Sequence, residues 1–115
     1  MSTMAQTMFD RDRLREKWRL ASVDWVEADD KASRAEEGRS IFLNELINAL
    51  IEAGQKKTDA ERLARTCEEW KRYVRKMHEL RRLANLAKIE MGNRDRMYWE
   101  ATSMEANARA ERRMG

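Results

Sequence analysis

The sequence predicts an all-α fold: a long, coiled-coil-like antiparallel helical hairpin whose core is completed by homo-oligomerisation. Three observations carry this. No proline occurs in 115 residues, and 39% of them are charged, a composition typical of long helices. Apolar residues recur every seven positions along most of the chain, as in a coiled-coil seam. One short break, AGQKKTDAE (residues 53–61), interrupts that repeat, and a connection so short turns the second helix back along the first.

Residues 1–10 (MSTMAQTMFD) have no basic start and no apolar run; they read as a flexible tail, and no signal peptide is expected. A first helix is predicted over residues 11–53. One register of its seam reads Trp18, Trp25, Ala32, Arg39, Leu46, Ala53, and the other Leu14, Ala21, Ala28, Ala35, Phe42, Ala49. Arg39 breaks the apolar rule. Gly38 beside it costs a helix about 1 kcal/mol relative to alanine, so a local bend is expected there.

A turn is predicted over residues 54–58. Gly54 suits a helix C-cap. Thr58 and Glu61 have the spacing of a capping box, which places the next helix start near Asp59. The second helix, about residues 59–101, carries Leu63, Trp70, Met77, Ala84, Met91 and Tyr98 in one register. Tyr73, Leu80, Ala87, Arg94 and Ala101 form the other. Gly92-Asn93 is a candidate kink. Residues 102–115 lose large apolar side chains and are expected to fray.

Folding the chain at the turn matches large residues with small ones: Ala21 with Met91, Trp25 with Ala87, Ala32 with Leu80, Ala35 with Met77. Interior packing favours such complementarity. Ala28 with Ala84 and Phe42 with Trp70 break the rule, and Trp18 falls opposite Arg94. Apolar residues are left outside the seam at Ile41, Leu43, Ile47, Leu50 and Ile51, and at Leu83, Leu86 and Ile89. Symmetric self-association is the common way to cover such residues, so a homo-oligomer is expected.

Little in the sequence points to an enzyme. The single histidine, His78, has no nucleophile spaced to meet it, and four glycines form no phosphate-cradling loop. No metal site and no cofactor are expected. The single cysteine, Cys67, points to a reducing, cytoplasmic setting. No stretch approaches the roughly 20 apolar residues of a membrane span.

Charge is more informative. Residues 1–53 hold 8 basic and 11 acidic residues, whereas residues 54–115 hold 16 and 10. Lys71, Arg75, His78, Arg82 and Asn85 advance by four, three, four and three, which places them in one stripe about 20 Å long. Such a row can follow several phosphates, a contact independent of sequence and weakened by salt. Equally, the basic second helix can complement the acidic first one and set helix pairing. Both readings stand at this point.

Trp18, Trp25, Trp70, Tyr73 and Tyr98 occupy seam positions and read as packing residues. Trp99 does not, and it lies one turn from Arg96. A ring beside arginines suits base stacking in single-strand binders; it suits an oligomer interface as well. Lys88, Arg94 and Arg96 complete the candidate nucleic-acid set.

The block EEWKRYVRKMHELRRLANLAKIEM (residues 68–91), preceded by an acidic, alanine-rich helix with spaced tryptophans, resembles small helical proteins of phage recombination operons, the UvsY-like recombination mediators. The resemblance spans about residues 14–100 and rests on a diffuse helical pattern. It implies a cytoplasmic homo-oligomer that binds single-stranded DNA and helps load a recombinase onto strands coated by single-strand-binding protein. No second domain for a recombinase contact is visible. The alternative is a structural or adaptor coiled coil that binds a protein partner through residues 41–51.

Overall fold

The computed structural model describes the backbone of residues 4–114, with side chains from Asp10 onward. It holds four helices, α1 (Met4–Glu37), α2 (Arg39–Glu52), α3 (Lys57–Thr66) and α4 (Glu68–Met114), and no strand among the described residues. Of the expected tail, residues 1–3 lie outside the described residues, while residues 4–10 open α1.

The chain packs as two units, one formed by residues up to Glu27 with those from Asn85 on, the other by Ala28–Ala84. In the first unit Arg11 meets Glu105 at 2.9 Å, Trp18 stacks on Tyr98 with centroids 6.1 Å apart, and Lys88 lies over the Trp25 ring. In the second, Asp29 meets Arg81, Ala35 meets Tyr73, and Phe42 stacks on Trp70. Within each unit the numbers rise on one strand of the pairing as they fall on the other. The fold is all-α, and each unit is an antiparallel pairing of helices.

The buried residues are Ala21 in the first unit and Ala32, Ala60, Ala64, Trp70, Met77 and Ala84 in the second. Most are alanine, so the helices approach closely and bury little apolar area. No large side chain among the described residues is completely enclosed.

Trp18 departs from the expected register. It lies against Tyr98, one turn beyond Arg94, with the rings only 11° from parallel. Two large side chains therefore face each other, and ring stacking outweighs the large-against-small rule. Phe42 and Trp70 also stack, as two large residues, and Tyr73 joins them 4.5 Å from Phe42. Arg39 fits this cluster despite its charge, because its guanidinium lies 5.7 Å from the centroid of Trp70, within cation–π range.

Gly38 separates α1 from α2, with Gly38 N–H still bonded to the Arg34 carbonyl at 2.9 Å and Phe42 N–H to the Gly38 carbonyl at 3.0 Å. Gly38 keeps right-handed backbone angles, so left-handed freedom is not its role. A Cβ at this position would lie 3.1 Å from Tyr73 Oη and 3.2 Å from the Arg34 carbonyl. Its absence admits the tyrosine hydroxyl, which donates to the Ala35 carbonyl. That carbonyl is one of the groups a helix C-terminus leaves open.

After α2 the chain closes in a Schellman motif. Gln55 N–H donates to Leu50 and Gly54 N–H to Ile51, both at 3.0 Å, with Gly54 at φ 103. The capping box is not formed. Helix α3 starts earlier, with Lys56 at the N-cap and no side-chain cap, and Ala60 N–H already bonds the Lys56 carbonyl at 2.8 Å. Thr58 is thus inside the helix, where its hydroxyl cannot serve as the cap.

The periodicity does not reveal a second joint at Cys67, where extended angles separate α3 from α4. Thr66 Oγ1 donates to the carbonyls of Arg62 and Leu63, and Cys67 Sγ to that of Ala64. These bonds satisfy the end of α3 with side chains. Glu68 and Glu69 then occupy the first turn of α4, where the helix dipole favours negative charge. Helix α4 passes through Gly92 without a break and continues to Met114. In the segment expected to fray, Glu105 accepts from both Arg11 and Arg109.

Candidate nucleic-acid interface

In the second unit, Trp70, Met77 and Ala84 fix the buried side of α4. Lys71, Arg75, His78 and Arg82 lie on the far side, and all four are exposed. Both arginines are held by carboxylates of their own helix. Arg75 reaches Glu68 at 2.8 Å, and Arg82 grips Glu79 through Nε and Nη2 at 2.9 and 2.6 Å. The hydrogen bond from Arg75 holds the Glu68 carboxyl below its ordinary pKa, and that from Arg82 does the same to Glu79.

Arg81, the next residue along from the stripe, points elsewhere. Its Nη1 donates to Asp29 at 2.8 Å, its Nε to Glu36 at 3.0 Å, and its Nη2 also reaches Glu36 and, at 3.4 Å, Ser33. The bonds to Glu36 and then Asp29 raise the guanidinium pKa above its ordinary value. Glu36 is correspondingly lowered, chiefly by its bond to Arg81. At this position the basic helix and the acidic helix complement each other by direct contact. The charge balance of the two helices does not by itself single out Arg81 or Asp29. The available signal was that Asp29 and Glu36 stand one heptad apart beside the seam.

The remaining candidates lie in the first unit. Lys88 sits 5.9 Å from the Trp25 centroid. Arg94 donates to Glu90 at 2.7 Å, and Arg96 to Asn93 at 3.3 Å. Trp99 is 56% exposed. Its Nε1 donates to Asp95 at 3.0 Å and its ring meets Tyr98 edge to face at 5.3 Å. The indole is oriented by α4 itself while half of its surface faces water.

The apolar residues expected at an interface remain largely uncovered. Helix α2 contains no buried residue. Leu43, Ile47 and Leu50 are half-buried, while Ile41 is 63% exposed and Ile51, Leu83 and Leu86 are also exposed. Among the described residues, no three His, Cys, Asp or Glu side chains come together as a metal site. No described helix is long and apolar enough to cross a membrane.

Compared with known proteins, the chain matches no protein-family model, no curated protein and no solved structure. The resemblance to UvsY-like mediators therefore rests on the residue pattern of the chain alone.

Proposed function

We propose that the protein is a non-enzymatic helical oligomer that holds single-stranded DNA against the outward side of α4, as a mediator or accessory factor in recombination or repair. The observation that carries this reading is the exposed row Lys71, Arg75, His78 and Arg82, none of which forms a hydrogen bond or ion pair to another helix among the described residues. The surface pairs of Arg75 and Arg82 contribute little to stability, in the range of about 0–1 kcal/mol for such pairs in general, so phosphates can replace the glutamates. The exposed ring of Trp99, one turn from Arg96, is suited to stacking on a base. A recombinase and a single-strand-binding protein are the partners this role implies.

The test is the binding of a fluorescent single-stranded oligonucleotide at low salt. Binding is expected to weaken steeply as salt rises and to vanish in the double variant Arg75→Glu, Arg82→Glu, with helicity and assembly unchanged. No binding by the native chain at low salt overturns the reading.

The uncovered apolar residues of α2 favour a second reading, that of a structural or adaptor protein docking through residues 41–51. In that case Ile47→Asp or Leu50→Asp abolishes association, and DNA has no effect.

A further inference from the structure

Helix α2 packs against α3 and turns Phe42, Leu46 and Leu50 to the half-buried side. Its opposite side carries Ile41, Asn44, Asn48 and Ile51, all exposed. They advance by three, four and three, the spacing of a coiled-coil seam. The order of side chains along this row, Ile, Asn, Asn, Ile, is the same read in either direction.

We infer that this row is a two-fold self-pairing site: α2 of one copy lies antiparallel on α2 of a second copy, centred near Leu46. In that register each Ile41 faces the partner's Ile51, and each Asn44 faces the partner's Asn48. The asparagines decide the occupant. An apolar partner groove would leave two side-chain amides without hydrogen-bond partners, which is costly once they are buried. A second copy brings an amide to each, donor to acceptor. A polar pair inside an apolar seam also fixes register and helix direction. No charged residue lies in the row itself. Ile47 flanks the two-fold axis on one side and meets its own copy. Glu45 flanks it on the other and faces its own copy, a repulsion that keeps the pairing reversible. The inference rests on the reading that the chain self-associates and is independent of DNA binding.

Cross-linking tests it in the full chain with Cys67→Ser as background. An antiparallel pairing brings position 41 beside the partner's position 51, but separates position 41 from its own copy by ten residues, about 15 Å along the axis. A disulfide needs Cα atoms within about 7 Å. An equimolar mixture of Ile41→Cys and Ile51→Cys chains is therefore expected to form a disulfide dimer on mild oxidation, while each variant alone does not. The parental chain should sediment as a dimer that dissociates on dilution, and Asn48→Asp should shift it toward monomer with helicity retained. Equal cross-linking by either variant alone overturns the antiparallel register. Absence of cross-links in the mixture, with the parental chain still oligomeric, overturns the α2 site but leaves self-association standing. A parental chain that is monomeric throughout the micromolar range overturns both.

Discussion

The hydroxyl of Tyr73 on α4 donates to the backbone carbonyl of Ala35, three residues before the joint between α1 and α2. The bond couples a cross-helix contact to the ending of a helix, and it passes through the space left by the missing Cβ of Gly38. Tyr73→Phe keeps the ring stack on Phe42 and Trp70 but leaves this partly buried carbonyl without its donor. A loss of about 1 kcal/mol is expected, the usual net value of one hydrogen bond. Urea denaturation followed by far-UV circular dichroism reads it as a lower midpoint with an unchanged slope.

Two other glycines should respond to alanine with opposite signs. Gly54 sits at φ 103 at the end of α2, where a Cβ is strained by about 1–2 kcal/mol, so Gly54→Ala destabilises. Gly92 lies inside α4 with nothing near the position of a Cβ. Gly92→Ala removes only the helix cost of glycine and is expected to stabilise by about 1 kcal/mol. Thermal midpoints of the two variants, measured side by side, check both.

How much of this was legible in the sequence depends on the range of the interaction. The antiparallel pairing, the interruption at Gly38 and the cap at Gly54 follow from heptad spacing and from backbone rules acting within a few residues. Cys67 escaped because Leu63 and Trp70 keep perfect seven-residue spacing across it; the only local sign was Thr-Cys followed by two glutamates. The Trp18 pairing escaped because heptads set which face meets which, while the register of one turn is decided by how two rings fit. Of the candidate nucleic-acid residues, the exposure of Lys71, Arg75, His78 and Arg82 was readable from helical periodicity. The glutamates that hold Arg75 and Arg82 are rotamer choices, which the spacing permits but does not select.

Arg81 and Arg82 are adjacent in sequence and differ in role. Arg81 ties α4 to Asp29 and Glu36 of α1, whereas Arg82 pairs within its own turn. Arg81→Ala should lower the thermal midpoint more than Arg82→Ala, whose change should be close to the measurement error. Arg81→Lys should recover only part of the loss, because an ammonium cannot reproduce the planar fork of bonds.

The same network gives a pH dependence. Glu36 is held below its ordinary pKa chiefly by the bond from Arg81, and Glu105 chiefly by that from Arg109, with Arg11 adding to it. A carboxyl lowered in the fold stabilises it fully above the ordinary glutamate range, and that contribution is lost as pH falls through the lowered value. Stability should therefore hold from neutral pH down to the ordinary glutamate range and decline below it. Glu36→Gln should reduce the steepness of that acid limb in a series of urea melts.

If the outward row of α4 binds phosphates, Glu68 and Glu79 are competitors for Arg75 and Arg82, and removing them should help rather than harm. The double variant Glu68→Gln, Glu79→Gln leaves both arginines free, raises the local positive charge and is expected to bind a single-stranded oligonucleotide several-fold more tightly at low salt. Lys71, Arg75 and Arg82 together predict a slope of about −2 in a plot of log affinity against log salt, at roughly −0.7 for each neutralised phosphate of a single strand. Lys71→Ala should make that slope shallower by about 0.7 and leave the melting midpoint unchanged. Fluorescence anisotropy over a salt series measures both quantities. Weaker binding by the double glutamine variant would mean that the glutamates support the row rather than compete for it, and the row would no longer be the phosphate contact.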